Sequence, residues 1–107
     1  MYTADTVCMA QLIHDEARGE SLAGKEAVAQ VVLNRVRSGK FGKGVCGVAR
    51  APKQFSGYHR NIKPSKVSYS VAVRALLGDM INRVGRRLYF NGIGPSHALR
   101  IGGHKFW

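Results

Sequence analysis

The fold of this chain is set at its first helix break, in the stretch His14-Asp15-Glu16-Ala17-Arg18-Gly19-Glu20, which holds three of its six acidic residues. In a helix, Met9, Leu12, Ile13 and Glu16 share one face, because they follow the i, i+3, i+4, i+7 spacing. A carboxylate at the end of an apolar stripe is partly desolvated, which raises its pKa and makes Glu16 a candidate general acid. The alternative is that Glu16 lies at the helix end and simply reaches water.

Helical patterns extend on both sides of this break. The first helix is predicted from Thr3 or Asp5, either of which is a suitable cap, to about Ala17. A second helix is predicted from about Leu22 to Arg37. Because the second helix is apolar nearly all round in its middle, it should be the central buried helix.

The remainder of the chain changes from helix to strand. A short helix is predicted over Val45–Ala49 and a longer one over residues 64–77, ended by Gly78. Arg87–Asn91 is predicted to be a short strand, and residues 101–107 its antiparallel partner. The sequence therefore predicts one domain over residues 1–107, mostly helical (α+β), with one small hairpin near the C-terminus.

Composition bounds the class of partner. The chain has 107 residues, 45% of them hydrophobic, which is enough for a single core. Its net charge of +11, from 17 Lys and Arg against 6 Asp and Glu, predicts attraction to a polyanion, either nucleic acid or a bacterial envelope. The basic residues are spread along the chain without a basic tail, which disfavours a simple nucleic-acid-binding arm.

Cys8 and Cys46 are the two cysteines, and they lack the spacing of a metal site. We interpret both as small core residues, since free cysteine is usually buried, and leave a disulfide open. No apolar run is long enough to cross a membrane, and the N-terminal stretch lacks the pattern of a secretory signal. The expectation is a protein that is made in the cytoplasm without a signal peptide.

Ordinary site templates do not match this sequence. It contains no phosphate-binding glycine loop, no metal-ligand spacing and no nucleophile elbow. What remains is a carboxylate, a basic surface and aromatic residues in predicted loops. That inventory suits sugar chemistry, because a glycosidic bond needs a proton donor for its leaving oxygen while aromatic and amide groups hold the rings.

Recognisable stretches run along nearly the whole chain in a fixed order: Ile13–Glu20, Gly24 with Ala27–Ala29, Val32–Val36, Gln54–Ser56, and Tyr89–Asn91 with Ile101–Phe106. They closely resemble the spore cortex-lytic enzyme-like cell-wall hydrolase family. The resemblance implies a lysozyme-like fold and cleavage of peptidoglycan glycan strands, mostly by lytic transglycosylation. It also implies that Glu16 is the catalytic glutamate.

A lone basic domain without a signal peptide or wall-binding domain looks more like a bacteriophage endolysin than a spore enzyme. The expectation is an enzyme that accumulates in the host cytoplasm and acts on the cell wall after release. A preference for spore cortex is not carried over.

Glu16 is predicted to protonate the bond between N-acetylmuramic acid and N-acetylglucosamine and then to act as the base. The candidate substrate-binding residues are Glu20, Gln54, Phe55, Ser56, Tyr58, Tyr89, Asn91 and His104. Alternatives stay open for three of them. Glu20 can instead stabilise the N-terminus of the second helix, Phe55 can anchor its loop in the core, and His104 can bond only to backbone.

The predicted partners are peptidoglycan glycan strands, with anionic envelope polymers or an outer membrane as a further partner for the basic surface. No cofactor, metal or nucleic acid is expected, and a monomer is expected. Three rival functions remain: a hydrolytic muramidase on the same bond, a small nucleic-acid-binding protein and an inactive wall-binding module.

Overall fold

The structure is a computed structural model that describes residues 1–51 and 61–107. Within these residues the chain forms four helices: α1 (Ala4–Ala17), α2 (Leu22–Ser38), α3 (Gly44–Arg50) and α4 (Lys66–Leu76). The predicted helices are thereby confirmed, with ends that differ by one residue or so. The substrate-loop candidates Gln54, Phe55, Ser56 and Tyr58 lie outside the described residues.

Local hydrogen bonds explain where three of these helices begin. Thr3, Ser21 and Ser65 each place a side-chain oxygen where it accepts from the backbone N–H three residues later. Such caps satisfy N–H groups that have no partner inside the helix. Gly39 ends α2 in a left-handed conformation with φ of 73°, which glycine adopts without steric cost.

The sheet differs from the predicted hairpin. Three antiparallel strands, β1 (Phe90–Asn91), β2 (Leu99–Ile101) and β3 (His104–Phe106), lie in the order β1-β3-β2. The predicted antiparallel pairing of the two segments is confirmed by β1 and β3. The predicted extent of the second strand was wrong, because Gly102, with φ of 60°, turns the chain back between Ile101 and His104. The strand that pairs with β1 is therefore β3, and β2 was missed.

Two apolar clusters form the interior. The larger lies among the four helices and includes Met9, Leu12 and Ile13, all with no exposed surface. The smaller joins the end of α1 and the middle of α2 to the sheet through Ala17 and the fully buried Phe106. The second helix contributes to both clusters, as its apolar sequence predicted.

Both cysteines lie at the larger cluster, with Cys8 buried in it as expected, and the disulfide that the sequence left open is present. Cys8 of α1 and Cys46 of α3 form a disulfide across 38 residues, with Cα atoms 5.3 Å apart. The two residues meet because α1 and α3 pack against each other beside the larger cluster. In the chain-entropy model, closing a loop of this length stabilises the fold by about 4 kcal/mol.

In the described part of the chain, no helix combines the length and the apolar character that a membrane span requires.

Glu26 on α2 is a buried carboxylate held by two arginines. Its side chain is 6% exposed and accepts from Arg74 of α4 at 2.7 Å and from Arg83 after that helix. Burial raises the pKa of Glu26, but the hydrogen bonds and charges of Arg74 and Arg83 outweigh it and hold that pKa below its ordinary value of 4.5. This ion pair connects α2 to the segment that leads into the sheet.

Glu26→Gln is expected to lower the free energy of unfolding at about pH 7 by about 1–3 kcal/mol, because it leaves two arginines without their carboxylate. The folded-state pKa lies below the unfolded one, so the contribution is complete above about pH 4.5 and is lost as the pH falls through the folded-state pKa. Urea unfolding at about pH 7 and about pH 3 measures both effects.

Asp79→Asn is the matched control, since it removes the same charge from an exposed position just beyond α4. A pH dependence that is identical in wild type and Glu26→Gln would contradict the assignment.

Candidate active site

Glu16 lies in the last turn of α1, where the apolar face of that helix ends. The three apolar residues that precede it on this face are fully buried, whereas Glu16 is half-buried. The carboxylate therefore emerges from the core at the helix terminus and remains in reach of a ligand. This is the position that the spacing of the sequence predicted for a general acid.

Buried polar side chains on α2 hold the segment that leads to β1. The Gln30 amide donates to Asn34 Oδ1 at 3.0 Å, and Asn34 Nδ2 donates to the carbonyls of Gly85 and Arg87 at 2.9 and 2.8 Å. Because Asn34 is 6% exposed, these bonds are shielded from competing water. They place the whole 85–88 segment against the central helix.

Arg35, the next residue on α2, is 4% exposed and lies between the same segment and the site. Its Nε donates to the Leu88 carbonyl at 2.6 Å, and its guanidinium lies 4.7 Å from the centre of the Phe41 ring and 5.6 Å from that of Tyr89. Burial lowers the pKa of Arg35, while the charges of Tyr89 and Glu16 raise it. The negative charge of Glu16 thus acts on this buried arginine.

Three aromatic rings form a row beside Arg35. Tyr89 is 43% exposed, meets Phe41 edge-on with ring centres 6.2 Å apart, and stacks on Trp107 at 5.8 Å. Backbone hydrogen bonds between Tyr89 and Trp107 extend the pairing of β1 and β3 and fix the stack. We call Phe41, Tyr89 and Trp107 the aromatic row.

Of the predicted substrate-binding residues, Tyr89 therefore joins the neighbourhood of Glu16. Asn91 is exposed, but its side-chain oxygen accepts from the N–H groups of Ile93 and Gly94, so it shapes the turn after β1. His104 lies on β3 with its ring edge-on to Phe90 at 5.1 Å. Its Nδ1 is buried and has no hydrogen-bond partner among the residues that the structure describes.

Glu20 makes a contact that neither of its predicted roles includes. Its Oε1 accepts a hydrogen bond of 2.9 Å from the backbone N–H of Gly103, in the turn between β2 and β3. The carboxylate thus points to the sheet. Glu20 directly precedes Ser21, the N-cap of α2, so it also lies near the N-terminus of that helix.

Sequence reasoning missed Arg35, Phe41 and Trp107. Arg35 lies in the recognised Val32–Val36 stretch, but nothing there distinguished it from an exposed arginine, since a single arginine in a helix is most often exposed. Phe41 follows the glycine that ends α2, and Trp107 pairs with Tyr89 only once the sheet has formed. The one usable clue was the register of the predicted strands: a pairing with residue 107 opposite residue 89 would have placed the Trp107 and Tyr89 rings together.

In the described residues, three helices pack around the buried α2, and a small sheet lies beside them. Together with the half-buried Glu16, this arrangement defines a lysozyme-like domain. Solved structures support this class. The catalytic domain of the Bacillus cereus SleB protein matches with a TM-score of 0.80 and 29% identity, over 99% of this chain and 91% of that one. The catalytic domain of the germination-specific lytic transglycosylase SleB from Bacillus anthracis matches at 0.77 and 27%, over 98% and 95%.

The chain belongs to the cell wall hydrolase family, whose model matches residues 19–106. That match begins three residues after Glu16, whereas the structural likeness covers nearly the whole chain. The spore cortex-lytic enzyme of Halalkalibacterium halodurans is 46% identical over 90 residues, which are 81% of this chain and 27% of that protein. That of Bacillus subtilis is 42% identical over 52 residues, 49% of this chain and 17% of that protein.

Arg35→Leu is expected to lower the free energy of unfolding by about 2–4 kcal/mol, because the buried Leu88 carbonyl loses its donor and Glu16 loses its buried counter-charge. Arg37→Leu, two residues along the same helix but exposed, is expected to change it by less than about 0.5 kcal/mol. Chemical denaturation measures both. Equal effects of the two substitutions would show that burial of Arg35 is not what stabilises the site.

Proposed function

We propose that this domain cleaves the glycan strand of peptidoglycan between N-acetylmuramic acid and N-acetylglucosamine by lytic transglycosylation. The observation that carries the proposal is the half-buried Glu16 beside Arg35 and the aromatic row. Family membership and the likeness to a named lytic transglycosylase support the same bond as the target.

The positions of the other carboxylates favour a mechanism with one carboxyl group. Two-carboxylate glycosidases hold the pair about 5–9.5 Å apart. Asp5 lies at the opposite end of α1, about 16 Å away at 1.5 Å per residue. Two other carboxylates are engaged elsewhere: Glu20 accepts a hydrogen bond from the Gly103 N–H, and Glu26 is held by two arginines. Asp79 is exposed beyond α4. Asp15 is adjacent in sequence but points about 100° around the helix.

The proposed reaction balances without water or a protein nucleophile. Glu16 donates its proton to the glycosidic oxygen as the bond from that oxygen to muramic acid C1 breaks. The 6-hydroxyl oxygen of the same muramic acid then bonds to C1, and its proton returns to the Glu16 carboxylate. The products are a 1,6-anhydro-muramic acid end and an N-acetylglucosamine end with a free hydroxyl.

The surroundings of Glu16 suit the second half of this cycle, in which the carboxylate takes the proton back. Arg35 supplies positive charge where the carboxylate becomes negative after proton donation, and because it is buried this attraction is weakly screened. Within the aromatic row, Tyr89 is 43% exposed and is the ring on which a sugar ring is proposed to pack.

Glu16→Gln is expected to remain folded, with a free energy of unfolding lowered by about 1–3 kcal/mol because buried Arg35 loses a nearby negative charge. It is expected to lose at least about a thousandfold in the rate of wall lysis, because the amide cannot donate or accept the proton. Thermal melting and turbidity loss of purified peptidoglycan measure the two properties. Asp15→Asn is the matched control and is expected to retain most activity. Lysis by Glu16→Gln at the wild-type rate would end the proposal.

Mass spectrometry of the released fragments distinguishes the two reactions on this bond. Anhydro-muramic acid ends are expected. Reducing muramic acid ends would instead identify a hydrolytic muramidase. If no fragments are released from several wall types, a wall-binding module or a nucleic-acid-binding protein becomes the better description.

We further propose that the domain acts as a bacteriophage endolysin, reaching the wall after release from the host cytoplasm. The net charge of +11 supports this role, since it favours retention on anionic envelope polymers. The cationic surface includes Arg37, Lys40, Arg86 and Arg87, all exposed.

Lysis of growing cells is expected to fall at least about fivefold between about 50 and 500 mM salt, as screening shortens the range of the attraction. Cleavage of a short soluble glycan is the control and should change little, because it needs no retention on a polyanion. A flat salt profile on whole cells would contradict the proposed role of the charge, and activity confined to spore cortex would contradict the endolysin role.

A further inference from the structure

One side chain in the connection between α1 and α2 contacts the sheet. Glu20 lies in this connection, and its Oε1 accepts from the Gly103 N–H at 2.9 Å, a contact between residues 83 positions apart. Its backbone is held as well, since the Lys25 Nζ donates to the Glu20 carbonyl at 2.5 Å. The backbone that carries the Glu20 carboxylate is therefore itself held in place.

Three glycines lie against this side chain, and a Cβ at any of them would force Glu20 to shift from its present position. A Cβ on Gly103 would lie 2.8 Å from Glu20 Oε2, and a Cβ on Gly102 would collide with Glu20 Oε1. A Cβ on Gly24 would lie 2.9 Å from the Glu20 Cβ. Real Cβ atoms essentially never approach so closely, so these glycines form a socket for the Glu20 side chain.

The turn held in this way leads directly into the strand beside the candidate active site. Phe106 of β3 packs in the same cluster as Ala17, the neighbour of Glu16. Trp107 follows and stacks on Tyr89, whose ring lies 5.6 Å from the Arg35 guanidinium. A shift of the turn would therefore move the aromatic row relative to Glu16.

We propose that Glu20 is a positioning residue for glycan cleavage: its carboxylate clasps the Gly102–Gly103 turn and so aligns β3 and the aromatic row with Glu16, without taking part in proton transfer. This inference rests on the proposed function. It assigns the second glutamate of the first motif to geometry and leaves the proton transfer to Glu16.

A four-variant set tests the clasp: Glu20→Gln, Glu20→Ala, Gly103→Ala and the double variant with both alanines. Gly103 has an ordinary backbone conformation, so the alanine there is opposed by the Glu20 carboxylate and not by backbone strain. Melting temperatures of all four, and KM and kcat well below those temperatures, are the measurements.

Gly103→Ala is expected to lower the melting temperature by about 5 °C in wild type and by less than about 2 °C in the Glu20→Ala background. Glu20→Ala and Gly103→Ala should each raise KM about tenfold with a smaller loss of kcat, because the aromatic row binds substrate less well. Glu20→Gln keeps an acceptor for the Gly103 N–H, so it should retain kcat within about threefold.

Two results would overturn the proposal. Additive losses of stability in the double variant would show that Glu20 and Gly103 do not interact. A loss of kcat in Glu20→Gln as large as that in Glu16→Gln, at an unchanged melting temperature, would place Glu20 in proton transfer. If wild type cleaves no glycan, the proposed function fails, and the positioning role fails with it, while the stability coupling still measures the clasp by itself.

Discussion

The architecture depends on the polar contacts that the central helix α2 makes with a backbone segment far along the chain. Asn34 and Arg35 donate to the carbonyls of Gly85, Arg87 and Leu88 from almost fully buried positions. Carbonyls in this segment have no helix or strand partners of their own, and buried polar groups without partners are costly. These contacts fix where β1 begins, and all three strands are built outward from it.

One consequence is that the site is assembled around a buried cation. Arg35 is the common neighbour of Glu16, Tyr89 and Phe41, although these residues come from three separate parts of the chain. A buried charge requires a compensating one. The chain has 17 cationic side chains and only 6 carboxylates, so few carboxylates are available to compensate a buried arginine. Elsewhere on α2 the buried charge is the carboxylate of Glu26, and the partly exposed Arg74 and Arg83 compensate it. Both carboxylates thus contribute to the stability of the fold.

Two long-range bonds, one covalent and one a hydrogen bond, hold distant parts of this small domain together. The disulfide joins α1 to α3 across 38 residues, and the Glu20 hydrogen bond joins the first helix break to the last turn across 83. Neither tie follows from a local pattern. Cys8 was interpreted as an ordinary core residue, and Glu20 as a helix-terminal charge or a substrate ligand, because a sequence shows a side chain's own element but not what packs against it.

The sequence by itself determined the helices, their caps and the exceptional position of Glu16. These depend on contacts within three or four residues, as in the hydroxyl caps of Thr3, Ser21 and Ser65. Only the tertiary structure decided the three-stranded order of the sheet, the aromatic row and the place of Arg35 beneath it. The physical reason is that these features join segments that meet only when the chain folds, and no local periodicity records which distant carbonyl, ring or carboxylate will be the neighbour.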